Sequence, residues 1–152
     1  MLSLAVPPLL AGAGCVSIDG GAVEVAWSIF APDGRAINDC GCTDPAVASL
    51  RLNLVSDPDG ASQPCAGLAA CRFACDRKIG ATPFIIPPGQ YLISLVAVDQ
   101  EGADIPATSV LTPPPQSRSI VRGQPTELEA FMIETGCKTV CNSGATQPCS
   151  AR

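Results

Sequence analysis

From Val23 the chain alternates: Val23, Val25, Trp27 and Ile29 are large and apolar, while Glu24, Ala26 and Ser28 are small or polar. Successive strand side chains point to opposite faces, so this period of two predicts a half-buried strand. Ala31-Pro32-Asp33-Gly34 ends it with turn chemistry, proline presetting φ and glycine accepting positive φ. Leu50, Leu52 and Leu54 alternate with Ser49, Arg51 and Asn53, a second such strand closed by Asp57-Pro58-Asp59-Gly60. Cys71, Phe73 and Cys75 alternate with Arg72, Ala74 and Asp76, which predicts a third, pinned by disulfides. Pro83 to Ile86 is a short apolar run, and Pro87-Pro88-Gly89 turns the chain into Tyr91 to Val98. That segment is apolar at nearly every position, the pattern of a central strand covered on both faces.

Asp99-Gln100-Glu101-Gly102 is the next turn, and Pro113-Pro114-Pro115 marks a stiff extended connection. Ser117 to Val121 and Thr126 to Ile133 flank Arg122-Gly123-Gln124-Pro125, a hairpin signal. In the second arm Leu128, Ala130 and Met132 share one face, and Glu127, Glu129 and Phe131 the other. No long helical period occurs. Short strands separated by Pro/Gly turns predict an all-β chain, an antiparallel β-sandwich of about seven strands stapled by disulfides. An immunoglobulin-like sandwich is the alternative.

Met1 to Gly14 has no charged side chain and is too short to span a bilayer, which takes about 20 apolar residues. Apolar residues followed by Ala11-Gly12-Ala13-Gly14 read as an export signal. Its end resembles the lipobox of bacterial lipoproteins: Ala13-Gly14-Cys15 matches the last three positions, with Gly12 where that family prefers Leu or Val. The resemblance implies cleavage before Cys15, a diacylglycerol on its thiol and membrane attachment through that lipid. Val16 follows, rather than the Asp that retains lipoproteins at the inner membrane, so the outer membrane or cell surface is implied. Ala11-Gly12-Ala13 is also an Ala-x-Ala site, whose use would free a periplasmic or secreted protein beginning at Gly14. The expected organisation is a signal peptide over 1–14, a tether over 15–22, a sandwich domain over 23–135 and a Cys-rich tail over 136–152.

Nine cysteines leave eight once Cys15 is set aside: Cys40, Cys42, Cys65, Cys71, Cys75, Cys137, Cys141 and Cys149. An exported chain favours pairing them as four disulfides. Their connectivity stays open, except that a Cys40–Cys42 ring closed over one residue would be strained. The rival is a four-thiolate zinc site from Cys71-x3-Cys75 and Cys137-x3-Cys141, spacings that zinc tolerates. The export signal and the lack of His weigh against it, so no metal or other cofactor is expected.

Ile86-Pro87-Pro88-Gly89-Gln90-Tyr91, with the apolar strand and the Gly102 turn that follow, resembles the Pro-Gly-x-Tyr step of transthyretin-like, carboxypeptidase-regulatory-like sandwich domains. The resemblance runs from Val23 to Ile133. It implies a structural or ligand-presenting role, with the inserts at Cys40 to Cys42 and Cys65 to Cys75 departing from the family.

Composition narrows the chemistry. Without His, catalysis by Ser-His-Asp or Cys-His and His-ligated metals are excluded. A net charge of −5 argues against nucleic acid as a partner. Carboxylates pair at Asp57/Asp59, Asp99/Glu101 and Glu127/Glu129, but the first two pairs lie on expected turns and the third on one exposed strand face. Calcium held by Asp57, Asp59, Asp99 and Glu101 is the strongest metal alternative, though no full calcium loop occurs. Trp27 shares the apolar face of its strand and reads as core. Arg118 and Arg122 flank an apolar strand end, a charged edge that discourages aggregation. No catalytic residue is expected. The chain reads as a non-enzymatic, lipid-anchored envelope protein that presents its sandwich to an unknown partner; a soluble secreted binding or inhibitor protein is the alternative.

Overall fold

The computed structural model describes residues 18–138. The expected signal segment, Cys15, Val16, Cys141, Cys149 and most of the Cys-rich tail lie outside the described residues. Ten strands follow one another: β1 (Ala22–Phe30), β2 (Thr43–Asp44), β3 (Ser49–Ser56), β4 (Arg72–Ala74), β5 (Ile79–Ala81), β6 (Gly89–Val98), β7 (Val110–Leu111), β8 (Gln116–Ile120), β9 (Pro125–Glu127) and β10 (Phe131–Cys137). Single 3-10 turns occupy Cys40–Cys42, Ala69–Cys71 and Cys75–Arg77. Among the described residues no helix is long and apolar enough to cross a membrane.

The strands form two sheets, giving a sandwich-like all-β fold. One has the order β2-β10-β1-β5, with β7 beside β10 and β9 beside β1; the other has the order β4-β3-β6-β8. The inward faces of both meet in one core, to which β1 supplies Val23, Val25, Trp27 and Ile29, β3 supplies Leu50, Leu52 and Leu54, and β6 supplies Tyr91, Ile93 and Leu95. Burying side chains of this size contributes about 1.5–3 kcal/mol each. The alternation at β1 and β3 matches the faces seen, because each strand has one wet side. The turns expected at Gly34 and Gly102 form with both glycines at positive φ, 83° and 88°.

Strand β1 departs from an antiparallel sandwich. It pairs in parallel with both β9 and β10, and antiparallel only with β5. The hairpin expected at Arg122-Gly123-Gln124-Pro125 is also absent. β8 joins β6 in one sheet, while β9 joins β1 in the other, so Arg122–Gly123 is a crossing between sheets. Gly123 turns the chain there, but the strands it links share no ladder. The last residues of the expected 15–22 tether pack into the fold. Gly20, Gly21 and Ala22 are buried, and a Cβ on Gly21 would lie 2.5 Å from Ile120 Cγ2. These glycines let the backbone pack against β8 and the 85–86 segment. Gly136 and Cys137, the first residues of the expected tail, extend β10 against β2.

β6 is internal to its sheet but not covered on both sides. Leu92 is 39% exposed and Val96 half-buried, whereas Ile93 and Leu95 are buried. An apolar run does not say how many faces are covered; here the second face is exposed at Leu92, half-buried at Val96 and buried only at its C-terminal end, at Val98. The short run at Pro83 to Ile86 is no strand, and β5 forms just before it, held by Trp27 N–H donating to Lys78 O and Thr82 N–H donating to Val23 O.

The phase of the last strand is reversed by a bulge. Glu24 pairs with Glu127 and Trp27 with Phe131, so two residues of β1 oppose three between β9 and β10. One extra residue swaps the faces that follow. Phe131 and Ile133 are therefore buried and Met132 exposed, the opposite of the grouping drawn from sequence. The bulge takes Glu129 off the ladder, and Gln116 of the other sheet satisfies it: Gln116 Nε2 donates to Glu129 O at 2.9 Å, and Glu129 N–H donates to Gln116 Oε1 at 3.0 Å.

Two stability outcomes follow from these positions. Leu95→Ala should cost about 2–5 kcal/mol, while Leu92→Ala on the outer face of the same strand should stay within about 1 kcal/mol; urea melts of both separate buried from exposed. Gln116→Ala should cost about 1 kcal/mol by unpairing the bulge, a loss that the same melts will register if the bulge depends on that side chain.

Candidate functional site

Because β1 and β10 run parallel, β1 starts at one pole and β10 ends at the other. The entry pole gathers residues 18–21, the 57–62 turn, the 83–88 segment and the 121–124 crossing, as the pairs Gly21↔Ile86, Ser56↔Tyr91 and Gly89↔Ile120 require. The far pole gathers the ends of β1 and β10, the starts of β2 and β3, and the 99–104 turn. About 30 Å of strand separates the two, at the usual rise per residue.

Cysteines tie the loops, Cys75 at the far pole and Cys71 beside the Arg51↔Arg72 pair within the second sheet. Cys40 bonds Cys75 and Cys65 bonds Cys71. Cys42 and Cys137 are disulfide-bonded as well. Cys71 and Cys75, the near half of the zinc alternative, are thus consumed in disulfides. Cys75 is also where the core meets the pole: Trp27 Nε1 donates to Cys75 O at 3.0 Å, and the Trp27 ring stacks on Phe73 at 6.2 Å. Trp27 is 2% exposed, so it is core and not a ligand platform. Asp76 Oδ1 accepts from Cys40 N–H at 2.9 Å, fixing the other side of the disulfide. Lys78 sits beside it at φ 60°, its ammonium 3.3 Å from Cys40 Sγ and donating to Ile37 O at 3.5 Å. Burial pushes the Lys78 pKa down, while the charges of Asp76 and Asp39 oppose that shift.

The predicted carboxylate sites are not brought together. Asp57 and Asp59 follow β3 at the entry pole, whereas Asp99 and Glu101 follow β6 at the far pole, so the four cannot share one calcium ion. Asp59 closes its own turn, accepting from Ser56 Oγ at 2.5 Å and Ala61 N–H at 3.0 Å; these bonds hold its carboxyl below the usual range. Asp99 Oδ1 accepts from Ala103 N–H at 2.8 Å in the same way. Among the described residues no group of three or more Cys, Asp or Glu is placed to hold a metal ion. Glu127 and Glu129 are both exposed, but the bulge separates their roles. Arg118 does not merely edge its sheet: its guanidinium donates to Gln116 Oε1 at 3.1 Å and pairs with Glu129 at 3.4 Å, across the two sheets. That pair is largely exposed and contributes little by itself.

Sequence reasoning missed one concavity. A hollow of about 750 Å³ lies over β5 and its neighbours, lined by Glu24, Ala26, Arg77, Ile79 and Glu127 among others. Ile79 in it is 65% exposed. Glu24 and Glu127 are side by side in register on the outer face, a like-charged cross-strand pair, and Arg77 lines the same hollow. The signal was the edge strand at 79–81, which is too short to show any period. β5 also depends on its glycine: a Cβ on Gly80 would run into the Phe73 ring, so the ring can lie against the strand only where no side chain stands.

No protein family model, curated protein or solved structure matches the chain.

The disulfides differ in the loops they close. Cys40–Cys75 spans 35 residues and Cys65–Cys71 spans 6. Replacing Cys40 and Cys75 together by Ser should cost roughly 2–5 kcal/mol, and more than replacing Cys65 and Cys71 together, because the longer loop regains more freedom when opened. Denaturant midpoints of the two double variants test the order.

Proposed function

We propose that this is a non-enzymatic, lipid-anchored protein of the cell envelope, a disulfide-stapled β-sandwich that holds a binding surface away from the membrane. The observation that carries this reading is the parallel pairing of β1 with β10. It sends the chain into the fold at one pole and out at the other. A lipid on Cys15 would tether the entry pole, and the disulfide-tied loops would face outward, about 30 Å away. The cysteine usage fits an oxidising compartment such as the periplasm or the cell exterior. The described carboxylates on turns serve as turn caps, which favours presentation over acid–base chemistry. The partner would be a protein or small ligand taken up by the far-pole loops or the Glu24/Glu127 hollow, and not nucleic acid, given the net charge of −5.

The test is detergent-phase partitioning of the exported chain together with its intact mass. Wild type should enter the detergent phase and carry the added mass of acyl chains, each buried CH2 strengthening the anchor by about 0.8 kcal/mol. Cys15→Ser should move to the aqueous phase. Unchanged partitioning of that variant removes the anchor, and a mature chain beginning at Gly14 would instead establish the soluble form.

A further inference from the structure

We propose that the entry pole is itself a membrane-contact surface, with the side chains of Ile18, Phe84, Ile85 and Val121 entering the interfacial layer of a bilayer. Loops at a protein surface are ordinarily polar. Here three loop segments show large apolar side chains instead: Ile18 is 47% exposed, Phe84 40%, Ile85 45% and Val121 46%. They account for four of the nine large exposed apolar residues among the described residues, the other five being spread over strands and the 60–71 loop.

Backbone hydrogen bonds lace the three segments into one surface. Gly21 N–H donates to Ile86 O at 2.8 Å and Ile86 N–H donates back to Gly21 O at 3.1 Å. Gly123 N–H donates to Gly20 O at 2.9 Å, and Ala22 N–H to Gln124 O at 3.1 Å. The glycines at 20 and 21 allow this approach, since a Cβ on Gly20 would lie 2.8 Å from the Ile85 carbonyl carbon and one on Gly21 would lie 2.6 Å from Val121 O. The apolar side chains are therefore held out on a rigid frame.

The chain leading into this pole selects a bilayer as the occupant. The proposal rests here on the lipid-anchored reading. Cys15 is three residues before Ile18, so at most about 11 Å of extended chain lies between the lipid-bearing sulfur and the pole. Charge does not drive the contact. Arg122 is exposed next to Val121 and can keep its head among lipid headgroups while its stem lies along apolar surface. Asp19, Asp57 and Asp59 share the pole, so it has no basic excess. Contact would come from apolar insertion and not from attraction to anionic lipid.

The test places an indole at the surface. Phe84→Trp and, at the far pole, Leu111→Trp are made in the full chain and in the Cys15→Ser chain. Each is mixed with phosphatidylcholine vesicles whose acyl chains are brominated, and flotation and tryptophan emission are read together. Wild type, with only the buried Trp27, gives the background. The expected result is loss of emission from Phe84→Trp and none from Leu111→Trp, unchanged by added salt. Loss of emission in the Cys15→Ser chain as well would uphold the surface without the anchor. A chain that floats while the Phe84→Trp indole stays unquenched overturns the surface and leaves the anchor standing. Neither flotation nor quenching overturns both. A blue-shifted Phe84→Trp emission in lipid-free solution, with a dimer in sedimentation, also overturns it, because a second copy then covers the pole.

Discussion

The parallel pairing of the first strand with the last is the constraint on which the rest of the structure depends. Parallel neighbours must run toward the same pole, so after β1 reaches the far pole the chain has to come back before β9 can start. The second sheet provides that return. β3 carries the chain toward the entry pole, β6 away from it, and β8 back again, its end at Ile120 lying against Gly21 at the start of β1. The crossing at Arg122–Gly123 then moves the chain from one sheet to the other. A true hairpin there would have kept β8 and β9 in a single sheet, and β1 would have lost β9 as a neighbour.

Strand β1 is also where packing and covalent chemistry meet. Trp27 lies in the core against Phe73, and its indole N–H holds the Cys75 carbonyl. Cys75 is bonded to Cys40, so the stacked pair, the 3-10 turn and the insert after β1 form one unit. The absence of a side chain at Gly80 lets Phe73 press against β5 and ties that edge strand to the same unit. An Ala-rich chain of modest aromatic content thereby concentrates its large side chains at one junction and staples the loops around it. The loops at the far pole can stay polar without having to build a core of their own.

The two poles consequently differ in kind. The far pole is cross-linked by a disulfide and exposes one large apolar side chain, Leu111; the entry pole is held by backbone hydrogen bonds and offers several at its loops. Between them the outer sheet faces carry single exposed apolar residues such as Leu92 and Met132, and the hollow beside β5 with its paired carboxylates.

What the sequence by itself determined is local. The period of two over Val23 to Ile29 and over Leu50 to Leu54 specified two strands and their buried faces, since a strand with one wet side must alternate. Asp-Gly and Glu-Gly steps specified turns at Gly34 and Gly102, because only glycine takes positive φ without strain. Trp27 as core followed from the company it keeps on its strand. Only the tertiary structure decided which strands pair, and in which direction. Nothing in residues 125–133 marks parallel partnership with β1, and the bulge that reverses Leu128 and Phe131 depends on register against Glu24 and Trp27, which lie a hundred residues earlier. Cover over β6 was equally beyond reach, because an apolar residue looks the same in sequence whether or not a layer lies above it. Turn carboxylates also read alike at either pole; the strand directions that put Asp57 and Asp99 at opposite ends are a property of the whole sheet. Disulfide pairing belongs to the same class, since a thiol meets its partner only after non-local strands have brought Cys40 to Cys75.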